Sequence, residues 1–349
     1  MRKLFLLFIV LFVGLQAIAC RFTIREIGYS NLFLEQYRLV LYADATDHKE
    51  LIKDFKSVSY AYSLDGNVDF MFAPRDTQVP TILFLSGKGR ELLRREVTST
   101  DDIINCINSC FLSPLRSQVM DGMGESFAFI LYFEGKLGKG YDVAISKGVK
   151  HFKKISSHLD KAVNPEIGII KIPWADRNNE EVVLESLGVK GTEKKPFVVL
   201  IYGRGRLAGK ALMGEDITPK NIFKKLVVMG TDCECGIDLR PLLERALPLS
   251  WSKQVRQKAA NMLELDVDNP MVLSEMSGIL AKGSGSNLRS ETSFSKSIDA
   301  LDKNFVKLDH NDREDISEPE NAFSQILLIS IAFVILVLIS GIYIFYRKR

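Results

Sequence analysis

Four of the five cysteines in this 349-residue chain fall in two close pairs, and their spacing is the first feature that invites chemistry. Cys106 and Cys110 are four apart, which places both on one face of a helix. Cys233 and Cys235 are separated by a single residue in Cys233-Glu234-Cys235-Gly236. Three chemistries compete for these thiols. The first is structural, because cysteines of an exported chain pair or are buried, and four allow three connectivities. The second is redox: a bridge spanning one residue is strained and readily reduced, which makes Cys233 and Cys235 the candidate catalytic pair of a thiol-disulfide enzyme or electron carrier. The third is metal carriage by all four thiolates, soft ligands that suit zinc or monovalent copper, although their spacing matches no standard zinc pattern. The structural reading is the expectation, with no cofactor.

Other groups offer less. His151 and His158 are seven apart beside Lys150, Lys153 and Lys154 and are read as solvated surface. Gly203-Arg204-Gly205-Arg206-Leu207-Ala208-Gly209 superficially suggests a nucleotide loop, but its last glycine is one residue late and a strand follows, so a hairpin turn is expected. There is no Gly-x-Ser-x-Gly or His-Glu-x-x-His element, which removes the simplest hydrolase and metalloprotease readings. A net charge of +3 gives no reason to expect nucleic acid.

The ends of the chain place these residues in a compartment. Arg2 and Lys3, the apolar run Leu4 to Ile18, and small residues at its end have the layout of a secretory signal, read as 1–19. Cys20 then becomes a candidate for lipid attachment, although Ala17 stands where a lipoprotein signal usually has leucine. Ile326 to Tyr346 carries no charge, is long enough to span a bilayer as a helix, and is followed by Arg347-Lys348-Arg349. Basic residues stay cytoplasmic, so the body of the chain faces the exported side. The expected topology is a transmembrane helix at 325–346, a cytoplasmic tail at 347–349 and a Ser/Gly/Asp-rich flexible linker at 281–324. The short signal and tail favour a bacterial inner membrane facing the periplasm, and an endoplasmic-reticulum protein facing the lumen is the alternative.

Between these ends, β-branched and aromatic runs predict strands at 37–42, 69–72, 80–85, 127–133, 167–172 and 196–202. Helices are predicted at 48–55, 101–111, 141–162, 180–187 and 219–229, so the class is α/β. An internal repeat organises them. Pro80-Thr81-Ile82-Leu83-Phe84-Leu85-Ser86-Gly87-Lys88-Gly89-Arg90 aligns without a gap on Pro196-Phe197-Val198-Val199-Leu200-Ile201-Tyr202-Gly203-Arg204-Gly205-Arg206. Looser matches join Val40-Leu41-Tyr42 to Ile130-Leu131-Tyr132 and 100–104 to 218–222. Each copy reads as a strand led by proline, a turn with its basic residue pointing to water, and a returning strand.

Strand, helix, strand, a proline-led hairpin and a final helix resemble the thioredoxin fold. Val79-Pro80-Thr81 is similar to the cis-proline turn of that superfamily, with Lys195-Pro196-Phe197 in the second copy. Pro80 and Pro196 are therefore the structural proline turns. The resemblance implies tandem thioredoxin-like domains at 31–119 and 123–251, a helical extension at 252–280, and kinship with inactive modules of the protein disulfide isomerase type. Catalysis in that superfamily needs Cys-x-x-Cys at the start of the first helix, where the helix N-terminus lowers the thiol pKa. The matching segments, 43–48 and 134–138, contain no cysteine. The reading is then a membrane-anchored extracytoplasmic binding or scaffold protein, partnered by the membrane and by another exported or membrane protein. Leu247, Leu249 and Trp251 are expected to pack back on the second domain or to mark a partner surface.

Overall fold

The computed structural model describes residues 22–284 other than 64, 137, 139, 160–163 and 232–238. All of these lie in one compact unit, Met1–Asp302; the second unit, Lys303–Arg349, lies outside the described residues. So do the signal segment, Cys20, Cys233, Cys235 and the apolar span at 325–346. Among the described residues no helix is long and apolar enough to cross a membrane.

Two mixed sheets form the frame. The first contains β1 (Tyr37–Ala43), β2 (Val68–Pro74), β3 (Thr81–Leu85) and β4 (Glu91–Glu96) in the order β2-β1-β3-β4. β1 is parallel to β2 and antiparallel to β3, and β3 returns as β4. The parallel connection needs a crossover, which α2 (Lys49–Ser63) supplies. Helix α3 (Thr100–Phe111) then covers the sheet. Its face carries Ile103, Cys106, Ile107, Cys110 and Phe111 into a core with Leu39, Leu41, Ile82 and Phe84. Spacing of three and four is what brings these residues to one helix face.

The second sheet repeats the plan. β5 (Ala128–Phe133), β6 (Ile167–Ile172), β7 (Phe197–Tyr202) and β8 (Arg206–Leu207) stand in the order β6-β5-β7-β8, with β9 (Leu212–Met213) also paired to β7. β5 is again parallel to β6 and antiparallel to β7. Helix α5 (Asp142–Ile155) makes the crossover and α7 (Pro219–Gly230) closes the copy. Both copies thus have the strand order and directions that the thioredoxin resemblance implies.

Register corrects the looser repeat matches. Val40 faces Leu83, whereas Val199, the repeat equivalent of Leu83, faces Leu131. Val40 therefore corresponds to Leu131 and not to Ile130. The closing helices shift likewise: Ser99 and Thr218 are the N-caps, each accepting from the backbone amide three residues on, so Ile103 and not Ile104 matches Ile222.

Several elements extend or depart from the sequence reading. Helix α5 stops at Ile155, with a single 3-10 turn at Ser156–His158, because Ser156 Oγ and the Leu159 amide turn back onto preceding carbonyls. Helix α4 (Pro114–Gly122), begun by an N-cap serine and a first-turn proline, joins the copies. Helix α6 (Glu181–Leu187) ends on Gly188 at φ 75°. Helix α1 (Ile24–Tyr29) precedes the first copy yet packs on the second. A capping box between Thr23 and Glu26 starts it, and all six of its residues are buried. Arg25 donates to the carbonyls of Phe127 and Ser126, and the Gly28 carbonyl accepts from the Arg204 amide.

After α8 (Arg240–Leu243), an extended segment ties the copies together. Tyr37 donates to the Ala246 carbonyl at 2.5 Å, Arg206 bridges to Ala246, and Gly66 bridges to Ser250. Leu247, Leu249 and Trp251 are buried there, so they pack inward and form no exposed patch. The extension folds as α9 (Lys253–Leu263) and α10 (Pro270–Ser284), and α10 runs a few residues into the segment read as linker.

Candidate functional site

In a redox-active thioredoxin fold the chemistry sits where β1 runs into its crossover helix, facing the proline-led strand. Both copies keep the place and change its chemistry. In the first, the Asp44 carboxylate accepts from the amides of Thr46 at 2.7 Å and Asp47 at 2.9 Å. Those amide bonds, Asp47's first, hold its pKa below the usual carboxylate range. Donors that would stabilise a thiolate at this turn are thus held by a carboxylate.

In the second copy the loop after β5 is fastened directly to the loop before β7. The Lys136 amide donates to the Lys194 carbonyl at 3.0 Å. A Cβ on Gly135 would lie 2.6 Å from the Pro196 ring, so no side chain, and no thiol, fits there. Arg177 completes the closure. Its buried guanidinium stacks 4.6 Å from Trp174 and 5.0 Å from Phe197, and it donates to the carbonyls of Glu134 and Glu193, each at 2.6 Å, and of Lys195 at 3.2 Å. At the helix entrance the Tyr141 amide donates to the Tyr132 hydroxyl at 3.2 Å.

The two structural prolines play one role. The Pro80 carbonyl accepts from Val97 and the Pro196 carbonyl from Gly214, each at 2.9 Å, which locks the start of the strand to the chain returning from the hairpin. No described peptide bond is cis. The similarity of Val79-Pro80 to a cis-proline turn is therefore one of position only.

Cys106 and Cys110 are free thiols in the core of the first copy. The Cys110 thiol donates to the Cys106 sulfur, which pulls the Cys106 pKa down, while burial pushes that of Cys110 up. Among the described residues no group of three or more His, Cys, Asp or Glu is arranged to hold a metal ion. His151 is a correction: it is fully buried, 6.5 Å from the Phe223 ring and edge-on to it, because its helix turns that face to α7.

The repeated hairpin turn holds a further departure. Lys88 is exposed as expected, but Arg204, its counterpart, is folded in over the Trp251 ring at 5.2 Å. Burial pushes its pKa down to about 10, and its nearest carboxylate, Asp268, is 3.9 Å away. The closing arginines have parallel roles that sequence reading left unassigned. Arg90 donates to the carbonyls of Glu185 and Ser186 at the end of α6. Arg206, fully buried, donates to Gly28, Ser30 and Leu32 at the end of α1. A guanidinium suits a helix C-terminus, where carbonyls lack amide partners and the dipole is negative. Coincidence of both arginines in the repeat is the signal that could have found them.

No protein-family model and no curated protein sequence matches the chain. Solved structures do match. Human ERp44 shares 12% identity over 56% of this chain and 50% of that one, with a TM-score of 0.20. Its zinc-bound form shares 10% over 62% of each chain, with a TM-score of 0.21. The first two thioredoxin domains of Saccharomyces cerevisiae Eps1p share 11% over 55% of this chain and 91% of that one, with a TM-score of 0.18. The chain thus spans about half the length of the first of these. Its two domains are thioredoxin-like. That assignment stands on the strand order, directions and register given above.

Proposed function

We propose that this chain is a membrane-anchored extracytoplasmic binding or scaffold protein whose thioredoxin-like domains hold another exported or membrane protein and perform no thiol-disulfide exchange. The observation that carries this reading is the chemistry at the two helix entrances: a hydrogen-bonded carboxylate in one and a loop closed on Pro196 in the other. Nucleophilic attack on a disulfide needs an accessible thiolate. The thiols of Cys106 and Cys110 are buried instead, and the hydrogen bond between them is internal. The apolar C-terminal span and the basic residues after it support the anchor and its direction.

Full-length protein in non-ionic detergent is expected to leave the rate of insulin disulfide reduction at that of the dithiol alone. Catalysed turnover that disappears in Cys233→Ser would replace this reading with a thiol-disulfide enzyme working through Cys233 and Cys235.

A further inference from the structure

A cleft of about 1020 Å³ opens where the first copy's hairpin meets the end of α6, α8 and the segment after it. Its walls include Phe33, Leu34, Lys88, Arg90, Pro241 and Arg245. Two guanidiniums converge in it on one carbonyl. Arg90 reaches the Ser186 oxygen at 3.4 Å and Arg245 at 3.5 Å, and Arg245 also reaches that of Leu187 at 3.2 Å. Both use only Nη2 for these bonds, so Nε and Nη1 of each have no hydrogen-bond partner among the described residues.

The acids lining the cleft take their hydrogen bond and ion pair from other groups of the same cleft, and Glu35 also feels the charge of Arg245. Glu244 pairs with Lys88 at 3.7 Å, and Glu35 accepts from the Gly87 amide at 3.1 Å. Among the described residues neither guanidinium has a salt-bridge partner. Two adjacent cations with unused planar donor edges match a carboxylate, which accepts two parallel bonds from one guanidinium.

Phe33 supplies the second observation. Its backbone is held at φ 55°, a region that residues other than glycine seldom enter, and its side chain is 46% exposed at the cleft. A strained aromatic kept open to solvent points to use, whereas packing would bury the ring. With Leu34 and Pro241 it makes an apolar wall beside the arginines.

We infer that this cleft binds a peptide segment presenting a carboxylate next to an apolar side chain, the carboxylate on Arg90 and Arg245 and the apolar group on Phe33, Leu34 and Pro241. The inference rests on the binding role proposed above and gives it a site and a ligand class.

The test is fluorescence anisotropy on the full-length protein in non-ionic detergent. The probes are a rhodamine-labelled, C-terminally amidated peptide of alternating Glu and Leu, its Lys-Leu counterpart, and an Ala-Leu peptide with a free C-terminal carboxylate. The Glu-Leu or the free-carboxylate peptide is expected to bind at least tenfold more tightly than the Lys-Leu peptide; which of the two wins tells a side-chain carboxylate from a chain terminus. Arg245→Gln should weaken that binding at least tenfold. So should Phe33→Asn, a residue that tolerates positive φ, with the melting temperature kept or raised. Should Arg245→Gln fail to fold, Phe33→Asn decides alone. Equal binding of acidic and basic peptides, or undiminished binding by Phe33→Asn, overturns the inference. Either result leaves the insulin assay to judge the non-redox reading separately.

Discussion

Arg116, Arg177 and Arg206 are among the largest fully buried side chains in the molecule, and their hydrogen bonds go mainly to main-chain carbonyls. A buried guanidinium without a carboxylate loses hydration, and carbonyl bonds recover only part of it. Burial accordingly pushes Arg116 and Arg206 down to about 10. Loss of Arg206 would also orphan the Ser30 and Leu32 carbonyls just after α1, while that of Gly28 would keep the Arg204 amide, so its role is to satisfy the end of that helix. Lys225 shows the same conflict with less compensation. Its ammonium donates to the Ala208 carbonyl and is desolvated, which pushes its pKa down to about 8. The unfolded chain keeps its proton to about pH 10.4, so between pH 8 and 10.4 the unfolded state binds more protons. Stability therefore rises with pH across that window, and the penalty is fully present below pH 8. Lys225→Met should raise stability at pH 7 by roughly 1–3 kcal/mol and flatten the rise, measured by denaturant unfolding at pH 7 and pH 10.

At the scale of elements, α1 is the piece that belongs to one copy in sequence order and to the other in space. Its Gly28 lies so close to the Tyr202 ring that an added Cβ would sit 2.4 Å from it, and a Cβ added to Gly203 would lie 2.4 Å from the Gly28 backbone. Removing 22–30 while keeping the signal should take from Arg206 two of its three carbonyl partners, Gly28 and Ser30, and leave only that of Leu32. A buried charge stripped of its partners costs about 3–5 kcal/mol, a large part of a domain's whole stability. Hydrogen exchange is expected to lose protection in β5 and β7 and to keep it in β1 and β3. Equal protection in the shortened and full chains would show that α1 is an ornament. Sequence reading missed α1 because six residues carry no helical period and Arg25 and Glu26 look like surface. The strands were legible from their apolar runs. Their exact alignment between copies was not, since β5 and β7 are buried on both faces and offer no alternation to fix a one-residue slip. The turn glycines and closing arginines were visible, but their destinations were not: Arg204 and Lys88 are equivalent in sequence, and only the presence of Trp251 beside Arg204 separates buried from exposed.

The described residues form two thioredoxin-like sheets knit by α1, the extended segment after α8 and a set of arginine-carbonyl bonds. The missing Cys-x-x-Cys was read from sequence; the reason no thiol could work at the second entrance, the contact of Gly135 with Pro196, required the fold. On the proposed function the chain holds no working redox couple. Differential alkylation with mass spectrometry, performed on the full chain across a glutathione series, tests it most directly. Cys106 and Cys110 are expected to resist alkylation until the chain unfolds, and Cys233 and Cys235 to stay in one state throughout the series. A Cys233–Cys235 bridge that opens and closes with the buffer, or ready native labelling of Cys106, would contradict it.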